Sequence, residues 1–248
     1  MKHKSWPTKI WTQIESALEL ELQSGTGRPV AAFDADGTLW DFDLGESFFQ
    51  YQIKKKLLPN LPPHPWQHYR EWKESGDPRP AYLWLAQINK GHPIKEIRTW
   101  AENCVREHSP LPIFPDQKKL IEYLLSKKVE VFVVTASVAW AVEPGAERLG
   151  VPIENVIGVK TKVKKGIISD EPDGAITYRE GKLHALLDIT NGKKPFLAAG
   201  NTMGDLALLE SSKISLAVGA AKEDHELFAT EERLRQEAQA RNWLIHRF

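Results

Sequence analysis

The chain has little of what several protein classes need. It carries one cysteine in 248 residues, which excludes an internal disulfide and a cysteine-rich metal site. No run approaches the roughly 18 consecutive apolar residues of a membrane span. The N-terminal stretch has basic residues but no apolar run that could form a signal-peptide core. Acidic and basic residues balance at 33 each (33 − 33 = 0), which argues against a nucleic-acid binder held by counterion release. Internal repeats and low-complexity tracts are missing too. A neutral cytoplasmic protein is expected, with neither nucleic acid nor membrane as a partner. A chain this long buries well over half of its unfolded surface and needs no disulfide or structural zinc to fold. Tryptophan is in excess. There are nine, and five (Trp40, Trp66, Trp72, Trp84 and Trp100) lie between residues 40 and 100.

Periodicity divides the chain. Residues 8 to 23 show helical spacing of apolar side chains, and Gly25 and Gly27 close that helix. Pro29 to Phe33 is a short apolar run stopped by charged residues, the pattern of a buried parallel strand ending at a site. Between about 42 and 114, four helical patterns alternate with Pro-rich punctuation and no strand is evident. From Pro115, helices at 116 to 128, 139 to 149 and 204 to 211 alternate with strands at 129 to 134, 156 to 159, 196 to 199 and 214 to 218. Such alternation predicts an α/β fold, a Rossmann-like parallel sheet flanked by helices. Its core would comprise residues 1–41 and 115–248, with residues 42–114 inserted as a helical cap. Residues 160 to 179 resemble a hairpin with Pro172-Asp173-Gly174 as its turn.

In open α/β sheets, ligands bind at the carboxyl ends of the strands. After Phe33 come Asp34-Ala35-Asp36-Gly37-Thr38-Leu39-Trp40, and after Val134 come Thr135-Ala136-Ser137. Gly181-Lys182 precedes the strand at 196, and Gly200-Asn201-Thr202-Met203-Gly204-Asp205 follows it. Two carboxylates directly after a buried strand are costly unless a cation compensates them. With a hydroxyl, a lysine and a further acid at the other strand ends, they offer hard oxygen ligands, phosphate donors and a carboxylate free to attack.

These four segments, in this order, resemble the motifs of the haloacid dehalogenase superfamily. The insert resembles the cap of its phosphoserine-phosphatase-like branch. The resemblance implies a Mg²⁺-dependent phosphatase acting on a small phosphomonoester. Asp34 would be the nucleophile, and Asp36 would protonate the leaving oxygen and then activate water. Thr135 would donate to the phosphoryl oxygens, and Lys182 would neutralise charge and hold Asp34. Asp34, the Asp36 carbonyl and Asn201 would bind Mg²⁺, with Asp205 as the principal acid of the fourth motif, a ligand directly or through water. Asn201 stands where the family usually has aspartate, which implies weaker metal affinity. The same position motivates an alternative, a catalytically weak phosphate-binding pseudoenzyme. A phosphotransferase that passes the phosphoryl group to a second substrate is another.

Candidate substrate contacts are Asp43 and Glu46 at the start of the insert, Trp40 directly after the nucleophile loop, and Ser137. The tryptophans are expected either to form the cap's own core or to line the pocket as an aromatic cage for an ammonium group. Phosphoserine and phosphocholine are the candidate substrates, and the sequence does not choose between them.

Overall fold

A computed structural model describes residues 4–25 and 27–248. The apolar run after Pro29 forms β1 (Val30–Phe33), buried on both faces. It pairs in parallel with β2 (Glu130–Val138) on one side and β6 (Leu197–Gly200) on the other. With β3 (Val156–Val159), β7 (Ile214–Gly219) and β8 (Leu244–Arg247), these strands make a six-stranded parallel sheet in the order β3-β2-β1-β6-β7-β8.

Successive strand residues point to opposite faces. Ala31, Phe33, Val131, Val133 and Leu197 share a core with α1 (Thr8–Gln23), α6 (Pro115–Ser126) and α7 (Ala139–Glu147). Val30, Ala32, Phe132, Val134 and Ala198 share another with α8 (Glu180–Ile189), α9 (Leu206–Glu210) and α10 (Phe228–Ala240). The sheet therefore lies between two helical layers. Its neighbouring strands lead away from β1 in opposite directions, which opens a crevice at the carboxyl ends of β1, β2 and β6.

The segment between β1 and α6 folds as α2 (Leu44–Lys54), α3 (Pro65–Glu74), α4 (Arg79–Gln87) and α5 (Ile94–Glu107). Asp43 starts α2 by accepting from Glu46 N at 2.7 Å, an N-cap that satisfies an otherwise orphaned amide. Phe49 meets Tyr69 and Trp84 edge-on, with ring centroids 5.8 and 5.5 Å apart. Trp66, Trp72, Trp84 and Trp100 pack against the apolar cluster built on Phe48, Phe49, Leu85 and Ile97. These four tryptophans hold the inserted helices to one another.

The predicted hairpin exists, but its turn lies elsewhere. β4 (Thr161–Lys164) and β5 (Ile167–Pro172) reverse direction at Lys165 and Gly166, with φ of +52° and +82°. Two left-handed residues give the turn whose twist matches a two-residue hairpin. Pro172 instead ends β5 opposite Thr161, an edge position where a missing N–H is tolerated. The hairpin tip also bonds to the insert, since Ile168 N donates to His92 O at 3.0 Å and Ile94 N to Gly166 O at 2.9 Å.

The strand at 214 is followed by two elements the sequence pattern does not announce, α10 and β8. Only Glu231, Leu234 and Ala238 of α10 are buried, a stripe too narrow for a clear helical period. Among the described residues, no helix is long and apolar enough to cross a membrane.

Candidate active site

The nucleophile candidate sits where the buried strand ends. Asp34 N donates to Ala199 O at 2.9 Å, so the sheet ladder still fixes its backbone. Its side chain is buried and held on both oxygens. Lys182 Nζ lies 2.5 Å from Oδ1, and Thr38 Oγ1 donates to Oδ2 at 3.0 Å. Burial raises the Asp34 pKa, as does the charge of Asp205. Lys182 pulls the other way, and the balance puts Asp34 at about 7.

Lys182 comes from the first turn of α8 and is almost fully buried. Burial alone would lower its pKa, but the charges of Asp205 and Asp34 override that and raise it. A buried ammonium persists only with such partners.

Asp205 is the acid of the fourth motif, expected to serve the metal directly or through water. Its Oδ1 lies 2.5 Å from Lys182 Nζ. Its Oδ2 accepts from Asn201 N at 3.1 Å and Thr202 N at 3.0 Å. With both oxygens committed, it anchors the loop after β6 and holds the lysine.

Asp36 lines the same cavity from the β1 loop. Oδ1 accepts from Trp40 Nε1 at 2.8 Å and Leu44 N at 2.9 Å, and Oδ2 accepts from Ser137 Oγ at 2.7 Å. Burial raises its pKa, against the pull of these bonds. Trp40 was expected to touch substrate. Instead its ring is wholly buried in the core beneath the site, and only its N–H is used, to hold Asp36. Ser137 lines the cavity, and its hydroxyl donates to Asp36. Thr135 Oγ1 accepts from Ser137 N at 3.0 Å, which leaves the hydroxyl proton free to donate.

These groups face a cavity of about 160 Å³. Asp34, Asp36, Thr135, Ser137, Lys182 and Asn201 form its floor, and Asp43, Glu46, Lys73 and Leu85 of the insert form part of its wall. Tyr69, Tyr82 and Tyr178 also line it, and no tryptophan does. Burial, then the Asp36 and Glu46 charges, raise Asp43 well above the usual carboxylate range. Lys73 Nζ lies 2.6 Å from Glu46 Oε1 and 5.9 Å from the Tyr69 ring centre. Three of the four hairpin lysines are paired away from the site: Lys162 and Lys164 with Glu171, and Lys160 with Asp173.

Gly37 explains the tightness of the loop. Its φ is +77°, and a Cβ there would stand 2.2 Å from Asn201 Nδ2. Gly37→Ala is expected to cost about 1–3 kcal/mol, measured as a lowered denaturation midpoint. An unchanged midpoint would contradict this packing.

Among the described residues, no group of three or more His, Cys, Asp or Glu could hold a metal ion. Mg²⁺, however, uses one or two carboxylates together with other oxygens and water. Asp34, Asp36 and Asp205 against Lys182 leave a formal deficit of two charges (−3 + 1 = −2) around a buried floor. The Thr38 hydroxyl has one proton, and Asp34 Oδ2 at 3.0 Å is a nearer acceptor than Asn201 Oδ1 at 3.3 Å. A buried amide oxygen is thus left short of a donor beside a carboxylate. This donor set fits a small, hard divalent cation.

Several of these contacts were missed in the sequence. Thr38 is inside the first motif yet was given no role, and Tyr178 lies just before Gly181-Lys182. Tyr69, Lys73 and Tyr82 carry no local signal beyond lying in the aromatic insert.

The parallel sheet thus carries the Asp34 loop after its central strand, with an inserted helical segment over it. The family model for haloacid dehalogenase-like hydrolases matches residues 31–210, and the chain belongs to that family. It is 25% identical over 230 residues to a phosphorylcholine phosphatase of Pseudomonas aeruginosa, covering 77% of this chain and 65% of that protein's length. A Bordetella pertussis protein of unknown function superposes with a TM-score of 0.72 at 20% identity, over 89% of this chain and 99% of the other. A phospho-aspartyl intermediate analogue of phosphoserine phosphatase superposes with a TM-score of 0.54 at 14% identity, over 89% and 93% of the chains. The last two likenesses concern the fold.

Proposed function

We propose that this protein is a Mg²⁺-dependent phosphomonoesterase that works through an aspartyl-phosphate on Asp34 and takes a small substrate with a cationic headgroup. The reading is carried chiefly by Asp34, held by Lys182 and Thr38 on the floor of a small cavity opposite a free Thr135 proton. An oxygen of Asp34 forms a bond to phosphorus while the bond to the leaving oxygen breaks. Asp36, whose burial favours the protonated form, gives that oxygen its proton. Water then attacks the phosphoryl group, Asp36 takes the water's proton back, and Asp34 is released. Lys182 and Thr135 offset the charge on the phosphoryl oxygens. Asp34, the Asp36 carbonyl and Asn201 would hold Mg²⁺, which would supply charge neutralisation for a phosphate entering an acidic floor.

The insert's wall supports the choice of headgroup. Tyr69, Tyr82 and Tyr178 line the cavity, and their rings suit an ammonium group. Lys73 is the cation available on the wall for a serine carboxylate, and Glu46 already occupies it. Phosphocholine therefore fits better than phosphoserine, in line with the curated relative's name. The proposal is tested by a phosphomonoester screen with Mg²⁺ in which phosphocholine is expected to have the highest kcat/KM. Preference for phosphoserine would overturn the headgroup assignment. Turnover only with an added acceptor would favour a phosphotransferase, and binding without turnover a pseudoenzyme. Tyr82→Ala is expected to raise KM for phosphocholine about tenfold and leave that for p-nitrophenyl phosphate nearly unchanged. Equal effects on both would count against a cation-binding wall.

Protons and metal compete for Asp34. With its pKa near 7, activity at low Mg²⁺ should fall as pH drops through about 7, where the carboxylate takes up a proton. More Mg²⁺ should move that acid limb to lower pH. A limb that stays in place across Mg²⁺ concentrations would contradict the assignment of Asp34 as a ligand.

A further inference from the structure

We infer that Glu231 is a positioning residue of the metal site, orienting the Asn201 amide and supplying from behind it the negative charge that an amide lacks. This rests on the metal reading proposed above. Glu231 lies in the first turn of α10, far from every motif in sequence, and is only 4% exposed. Its Oε1 accepts from Asn201 Nδ2 at 3.2 Å. A carboxylate can only accept, so the amide nitrogen must face it. Asn201 Oδ1 is thereby turned toward Thr38, on the Asp34 side.

The glutamate is itself fixed. Its Oε2 accepts from Ala220 N at 3.1 Å and Ala221 N at 3.0 Å, just beyond the end of β7. Arg247 Nη1 stands 3.7 Å from the same oxygen, on a half-exposed side chain, and so offsets the charge only in part. The adjacent Thr230 accepts from Met203 N at 3.1 Å, so one turn of α10 grips the loop after β6 at two points. The same amide nitrogen lies beside Gly37, where an added Cβ would stand 2.2 Å from it. A charge one group away from a ligand, within a buried setting, is weakly screened. Partners of this outer kind commonly change metal affinity by about 10–100-fold.

Glu231→Gln keeps the shape but removes the charge and one of the two acceptor oxygens; with its remaining oxygen on the Ala220 and Ala221 amides it no longer accepts from Asn201. Asn201→Asp in that background returns the charge directly to the ligand. Mg²⁺ binding to the full chain, without substrate, is measured by titration calorimetry and by the Mg²⁺-induced shift in denaturation midpoint. Glu231→Gln is expected to weaken Mg²⁺ binding about tenfold or more, and the double variant to restore it to wild-type affinity or better. A purely structural Glu231 would lower the midpoint of the metal-free protein with Mg²⁺ affinity unchanged, and that result overturns the inference. So does a double variant that stays as weak as the single one. If the wild-type chain binds no Mg²⁺, the metal reading fails and this inference fails with it. Tight wild-type binding with an indifferent Glu231→Gln sinks the inference alone.

Discussion

Asp34→Asn is expected to reduce phosphomonoester hydrolysis by about 10⁴-fold or more while leaving the fold intact. The amide matches the carboxylate in shape. Its oxygen can still accept from Lys182, and its nitrogen can donate to Thr38 Oγ1. The Thr38 hydroxyl is then free to donate to Asn201 Oδ1. Lys182 keeps a full charge partner in Asp205. What disappears is the nucleophile. The check is kcat for p-nitrophenyl phosphate beside the denaturation midpoint. A variant within about tenfold of wild type would remove Asp34 from the chemistry.

The second large effect is on stability. Lys182 stands between two buried carboxylates, and Lys182→Met keeps the length of the side chain but not its charge. Breaking a buried ion pair from one side typically costs about 3–5 kcal/mol, and activity should vanish with it. The loss should depend on pH in a definite direction. Asp34 has a folded pKa raised to about 7 from an ordinary value of 3.8, so in the range between them the folded state binds more protons than the unfolded one. Its contribution is favourable below about 4 and is lost as pH rises through 7. Without Lys182 pulling the value down, that window widens upward. Lys182→Met should therefore be closest to wild type in mild acid and fall away toward pH 8, as read from urea unfolding at several pH values. A gap that narrows as pH rises would contradict the electrostatic role of Lys182.

Local chemistry made much of this legible from the sequence. The apolar run of β1 ends in two carboxylates and a glycine, a costly juxtaposition that points to a site. The strand–helix alternation after Pro115 carries the sheet. Contacts that depend on distant packing were not legible. Trp40 reads as a substrate contact directly after the nucleophile loop, yet its ring fills the core and its N–H reaches back four residues to Asp36. Asp205 reads as an acid for the metal, directly or through water; that it also anchors Lys182 and two backbone amides shows only in the folded loop. The hairpin turn was assigned to Pro172-Asp173-Gly174 because proline and glycine are strong turn signals. Lys165 and Gly166 made the turn instead, since the twist of paired strands favours two left-handed residues. Glu231 is 30 residues from Asn201, on a helix with no obvious period, and no local pattern links the two.

The central claim is a covalent phosphoryl group on Asp34. The most direct measurement is rapid quenching of the enzyme with phosphocholine and Mg²⁺, followed by mass spectrometry of the peptides. The phosphoryl group is expected on the peptide that carries Asp34, and on no peptide of Asp34→Asn. Turnover with the phosphoryl group on another residue, or with no phosphorylated peptide at any quench time, would contradict the account.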